Sequence, residues 1–241
     1  MCTVCKGKVL NRISSAFNAE TLKKKFQLSF KKQKVVPWKI ATEEVQTDFI
    51  DEYLELLEES DSGNCHILFY DPVHQLHNSE PEKCWITKGE DVFLKSNTGR
   101  KRITAMWAIN PLSLKFSGLI IEDYCDKETT KQVLQNIRND YSDGKPIFMF
   151  LDNAAYNRSY EVQDHAVKLG ITLCYLPPYS PNLNLIERLR KLMKKKLVKN
   201  RYYETFKEFR ESFINFFVNL SDYTEELRKI FDHRFNILKA A

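Results

Sequence analysis

Three carboxylates stand where the chain could use them as a set. Asp152 closes the apolar run Ile147-Phe148-Met149-Phe150-Leu151, and Asp71 closes a similar run from Ile67 to Tyr70. Separated from Asp152 by thirty-four residues, Glu187 opens a basic helix behind Leu176-Pro177-Pro178-Tyr179-Ser180-Pro181. A charge at the end of a buried strand is costly unless something compensates it. Uninterrupted apolar runs suit strands covered on both faces, so two such strands side by side would bring Asp71 and Asp152 together. Carboxylates that close repel unless protonated or bridged by a cation. Mg²⁺ and Mn²⁺ favour such oxygen ligands.

The third carboxylate depends on helix geometry. Ile186, Leu189, Met193 and Leu197 form an apolar stripe, and Glu187, one residue off it, falls at the boundary between core and solvent. Arg190, Lys191 and Lys194 follow on its face at i+3, i+4 and i+7. Three carboxylates can hold two divalent ions about 4 Å apart, one activating an attacking oxygen and one stabilising a leaving oxygen. Beside a row of cations, that chemistry suits a phosphodiester backbone. Arg188, Arg190, Lys191, Lys194 and Lys195 are the candidate phosphate contacts, with binding expected to weaken steeply with salt. Each residue alone also has a plain structural reading. Asp71-Pro72 and Asp152-Asn153 could be turns, and Glu187 a first-turn helix acid paired with Lys191.

The elements that must position these groups are legible in outline. Residues 1–40 carry ten Lys or Arg and one acid, Glu20, and read as a basic remnant or linker. Residues 41–60 form an acidic helix leading into the core, patterned by Val45, Phe49, Tyr53, Leu56 and Leu57. Strand-like runs follow at 65–70, 83–88, 102–109 and 114–121, as in an antiparallel meander. A helix over 127–141, a strand over 147–151, a helix over 159–169 and a strand over 171–176 then alternate as βαβ units. Helices over 183–199, 204–220 and 224–238 finish the chain. The expected fold class is α/β, a mixed sheet with meander and parallel strands flanked by helices. The core is expected over 61–203, with a helical C-terminal extension over 204–241.

Composition narrows the function classes. With 43% hydrophobic and 12% aromatic residues, the 241-residue chain is globular, not disordered. No apolar stretch approaches the roughly 18 residues that span a membrane. The first residues lack a signal-peptide apolar segment, so a cytoplasmic protein with reduced thiols is expected. Charge is segregated: Arg188 to Arg201 hold eight basic residues and no acid, which points to a polyanionic partner.

Together these residues resemble a known family. Phe150-Leu151-Asp152-Asn153-Ala154, the Leu-Pro-Pro-Tyr-Ser-Pro stretch at 176–181 and Asn182-Leu183-Asn184-Leu185-Ile186-Glu187-Arg188-Leu189 are similar to the catalytic core of mariner-type DDE transposases, nearest their bacterial insertion-sequence branch. Asp71-Pro72-Val73-His74, His77-Asn78-Ser79-Glu80, Cys84-Trp85-Ile86 and Ser96-Asn97-Thr98-Gly99-Arg100 extend the likeness, which runs from about residue 65 to 206. The resemblance implies an RNase H-like fold with Asp71, Asp152 and Glu187 as catalytic and metal-binding triad. It implies Mg²⁺-dependent cleavage at transposon ends, with Mn²⁺ substituting, then attack of the freed 3′-hydroxyl on target DNA. Members usually insert at TA and pair their ends in a dimer or larger assembly. A bacterial cytoplasmic protein, nucleoid-associated while on DNA, would follow. Two departures stand out: Pro72 replaces an acidic or small residue, and Arg190 replaces a common tryptophan. The helix-turn-helix modules usual at the family's N-terminus are not evident, so an upstream helix-turn-helix chain is an implied partner. The rival reading is a truncated, non-catalytic DNA-binding or assembly subunit of a split transposase.

Other features promise less. Cys2 and Cys5 form one CxxC pair, short of the four ligands a zinc site needs. His74 and His77 are expected as polar groups near a strand exit, because hard Mg²⁺ prefers oxygen. Glu122 and Asp123 rival the triad but suit a hairpin end. Trp85 and Trp107 read as packing residues, and Tyr202 and Tyr203 as either DNA contacts or core.

Overall fold

The computed structural model describes residues 39–97, 101–122 and 124–238. The basic N-terminal stretch up to residue 38, with its CxxC pair, Thr98-Gly99-Arg100 and Asp123 lie outside the described residues.

Five strands form one mixed sheet in the order β3-β2-β1-β4-β5. They are β1 (His66–Leu76), β2 (Arg102–Ile109), β3 (Phe116–Ile121), β4 (Ile147–Leu151) and β5 (Ile171–Tyr175). The first three run antiparallel, and β4 and β5 run parallel to β1. Helix α1 (Glu43–Asp61) precedes the sheet, while α2 (Lys127–Asp140) and α3 (Tyr160–Lys168) make the crossovers. Helices α4 (Ile186–Leu197), α5 (Phe206–Val218) and α6 (Thr224–Ile230) follow β5.

Strand pleating sorts the side chains into two cores. Leu68, Tyr70, Met106, Met149 and Leu151 face α2 and α3, against Val133, Leu134, Ile137, Val162 and Ala166. Ile67, Phe69, Val73, Ile103 and Phe150 point the other way. On that side they meet Phe49 and Tyr53 of α1, Ile186, Leu189 and Met193 of α4, and Phe209 and Phe213 of α5. The acidic helix and the C-terminal helices thus share one core with the sheet. At β3, Gly118 permits a close approach: a Cβ there would lie 2.0 Å from Met106 O.

Three expectations change. The run over 83–88 is not a strand; it lies in an irregular segment where Trp85 is fully exposed and Phe93 is 90% exposed. β-propensity measures fit to a pleated, half-buried surface, and this run pairs with none of the five strands of the sheet. Trp85 is therefore not a packing residue, whereas Trp107 stacks on Phe217 at 5.4 Å. The second change is that β1 continues past Asp71 to Leu76, pairing with β2 through Leu76↔Arg102. Its pairing with β4 stops at Tyr70↔Leu151, so Pro72 falls where one side of the strand is open, which is where a strand tolerates a missing N–H. Third, α6 ends at Ile230 rather than running to 238. Residues 232–238 instead reach back to other elements: Gln46 Nε2 donates to Leu238 O at 2.9 Å, and Arg188 donates to Asp232 at 2.7 Å.

Candidate active site

Parallel pairing of β1 and β4 sets the geometry. Tyr70 lies opposite Leu151, so the next residues, Asp71 and Asp152, leave the pair side by side. By the alternation of Ile67 and Phe69, and of Phe148 and Phe150, both aspartates belong to the α4 side of the sheet. Helix α4 brings Glu187 to the same place. Its entry is built by the loop 176–185: Pro177 and Pro178 limit the backbone, Tyr179 takes φ 55°, and Asn184 Oδ1 accepts from Ile186 N at 3.1 Å. Ile186, Leu189, Met193 and Leu197 are buried as their spacing requires, and Glu187 is half-buried at the edge of that stripe.

The three acids line one cleft of about 650 Å³, together with Pro72, His74, Asn153, Tyr156, Tyr179 and Arg190. Asp71 is pushed up to about 8, first by burial, then by the negative charges of Glu187 and Asp152, with Arg190 opposing. A carboxyl group so raised by its own neighbours marks a place where negative charge is crowded until a cation compensates it. Asp152 Oδ1 accepts from Asn157 Nδ2 at 2.8 Å and from Ala154 N at 3.1 Å. Glu187 Oε1 accepts from Arg190 at 3.1 Å. No three His, Cys, Asp or Glu side chains among the described residues gather tightly enough to enclose an ion. The donor set is nevertheless all oxygen and anionic, which fits Mg²⁺ or Mn²⁺ and not zinc.

The basic helix divides into spent and available cations. Arg188 donates to Ile230 O and Asp232, both at 2.7 Å, and also to Arg234 O, so it fastens the C-terminal segment. Its guanidinium is thus engaged by the C-terminal segment rather than left without partners. Lys194 pairs with Glu80 at 2.8 Å, a partner that sequence spacing gave no means to find across 114 residues. Lys191 and Lys195 are exposed and make no ion pair among the described residues.

The remaining candidates fall into place. His74 borders the cleft with Nδ1 2.9 Å from Thr104 Oγ1, and burial, aided by the charges of Arg102 and Arg190, holds its pKa below the usual histidine value. His77 is buried, with its ring 5.2 Å from Phe209 and Nε2 3.1 Å from Tyr203 O, so it belongs to the core. Glu122 pairs with Arg210 and stands apart from the cleft. Tyr203 packs on Phe209 while Tyr202 remains exposed. Asn157, which sequence reasoning passed over, is fully buried beside Asp152.

An RNase H-like sheet with aspartates on neighbouring central strands and a glutamate on a following helix defines a class of nucleic-acid enzymes built around carboxylates. Comparison with known proteins agrees. The family model described as DDE superfamily endonuclease matches residues 66–210. The chain belongs to that family. It is 31% identical over 106 residues to an uncharacterized protein of Sinorhizobium fredii, covering 42% of this chain and 76% of that one. In fold it is similar to the Mos1 strand transfer complex, with a TM-score of 0.64 at 15% identity over 88% of this chain. It spans 64% of that Mos1 chain. It is also similar to the catalytic domain of Mos1 mariner transposase, with a TM-score of 0.55 at 13% identity over 83% of this chain and 94% of that chain. A further match is a Mos1 mariner paired end complex with Mn, with a TM-score of 0.61 at 14% identity over 88% of this chain and 68% of that one. No helix among the described residues is long and apolar enough to cross a membrane.

Proposed function

We propose that this chain is the catalytic part of a metal-dependent DNA transposase, cutting at transposon ends and joining the freed 3′-hydroxyl to target DNA. The observation that carries the reading is the β1–β4 register, which sets Asp71 beside Asp152 within electrostatic reach of Glu187. These three carboxylates would hold two divalent ions, Mg²⁺ or Mn²⁺, with Glu187 exchanging Arg190 for a cation. When bound, such ions activate the attacking oxygen and stabilise the leaving oxygen of the phosphodiester.

The chain's own residues supply position and charge. The prolines at 177 and 178 limit where Glu187 can stand relative to the strands. Lys191 and Lys195 lie one turn apart on the exposed face of α4 and would take phosphates directly. Arg190 and Lys194 would do so by exchanging Glu187 and Glu80 for phosphate oxygens. Double-stranded DNA is the proposed partner, held by a dimer or larger assembly, with an upstream helix-turn-helix chain reading the transposon ends. Mos1 structures described as strand transfer and paired end complexes support the pairing of DNA ends in that reading.

The test is nicking of supercoiled plasmid in Mn²⁺, set against the Asp152→Asn variant and against Ca²⁺. Nicking by the native chain, abolished in both controls, is the expected result. Equal nicking by Asp152→Asn would refute the site. DNA binding without nicking would favour an assembly subunit of a split transposase.

A further inference from the structure

We propose that Asn157 is the positioning residue of the site, holding the Asp152 carboxylate in the orientation that takes up a divalent cation. The inference rests on the metal-site reading above. Asn157 is fully buried although it lies in the turn between β4 and α3 rather than in a sheet or helix. Its Nδ2 donates to Asp152 Oδ1 at 2.8 Å, and Ala154 N donates to the same oxygen at 3.1 Å. Both bonds land on Oδ1. The carboxylate plane is thereby fixed, and Oδ2 keeps no protein donor among the described residues. A ligand oxygen oriented in advance does not have to be ordered when a cation arrives.

The side chain carries a cost that its contact with Asp152 must offset. Asn157 Oδ1 is buried with no hydrogen-bond partner, whereas buried polar groups are almost always satisfied. An apolar residue of similar volume would avoid that loss but could not donate to Asp152. The turn itself is fastened at both ends. Asn157 N donates to Ala154 O at 3.0 Å, and Tyr175 Oη at the end of β5 donates to Asn157 O at 2.9 Å. Asp152 is thus braced through Asn157 to the edge strand. Glu187 has no such brace among the described residues, since its side-chain partner is the charged Arg190, and no side-chain hydrogen bond to Asp71 occurs among them.

The experiment titrates Mn²⁺ by calorimetry, without DNA, into the native chain, Asn157→Leu and Tyr175→Phe. Thermal melting and DNA binding are measured in EDTA alongside. Asn157→Leu removes both the donor and the unpaired acceptor, so its melting temperature should hold or rise. Its Mn²⁺ affinity should fall roughly 10–100-fold, with DNA affinity in EDTA unchanged. Tyr175→Phe should move Mn²⁺ affinity the same way by less, and it decides the matter if Asn157→Leu does not fold. Native Mn²⁺ affinity in folded Asn157→Leu, or in Tyr175→Phe where the leucine variant does not fold, overturns the proposal and leaves the metal site standing. Lack of Mn²⁺ binding by the native chain overturns both.

Discussion

Replacing Asp71 by asparagine should stabilise the protein in the absence of divalent metal. Asp71 sits at about 8 in the fold against an ordinary value of 3.8, because burial and the charges of Glu187 and Asp152 oppose its ionisation. At pH 7 the unfolded chain carries Asp71 ionised and the fold carries it largely protonated. The difference between 7 and 3.8, at about 1.4 kcal/mol per pH unit, sets an upper bound of roughly 4 kcal/mol. Relaxation of three neighbouring carboxylates reduces this, so about 2–4 kcal/mol is the expected gain in Asp71→Asn. For a chain of this length that amounts to roughly 4–16 °C in melting temperature.

The pH dependence follows from the direction of the shift. A carboxyl group raised in the fold binds its proton more tightly there than in the unfolded chain, so native stability declines as pH rises from about 4 to about 8. The advantage of Asp71→Asn should therefore be small near pH 4 and grow up to pH 8. Urea melts in EDTA across that range measure it, and saturating Mn²⁺ should reverse the order by stabilising only the native chain. A variant no more stable than the native protein in EDTA at pH 8 would refute the crowding of the three carboxylates.

Three further outcomes follow from the same geometry. Lys191→Gln with Lys195→Gln should flatten the log–log salt dependence of DNA binding by roughly 0.9 per lysine, whereas Arg188→Gln should leave that slope alone and lower the urea midpoint by loosening residues 230–234. His233, whose Nδ1 lies 2.6 Å from Tyr53 Oη, is held below the usual histidine pKa, chiefly by burial. Its neutral form thus contributes stability above about pH 6.5 that is lost as pH falls below it, and His233→Gln should lose less melting temperature than the native chain between pH 7.5 and 5.5. Gly118→Ala would set a Cβ 2.0 Å from Met106 O; with backbone on both sides of the clash, a loss of about 3 kcal/mol or more is expected in urea unfolding, and a loss below about 1 kcal/mol would contradict the close β2–β3 approach.

Periodicity and local chemistry determined much of this protein unaided. The helices read over 41–60 and 127–141 form over 43–61 and 127–140, the strands over 102–109 and 147–151 form as their apolar runs require, and the stripe of α4 is buried as its spacing requires. The carboxylates were conspicuous because a charge that ends an apolar run contradicts its surroundings. Tertiary structure decided what depended on partners distant in the chain. Whether the run at 83–88 became a strand rested on finding a pairing partner, and it joins none of the five strands. Whether 231–238 continued α6 rested on Arg188 and Gln46, whose side chains draw that segment into the body. Which cations of α4 stay free rested on Glu80, Glu226 and Asp232, brought in from other elements. Asn157 became legible only through burial and one 2.8 Å bond, since an asparagine in a turn has no distinguishing spacing. Short-range pattern encodes elements and the anomalies within them, while the pairing of charges and the bracing of a ligand are properties of proximity that only the folded chain creates.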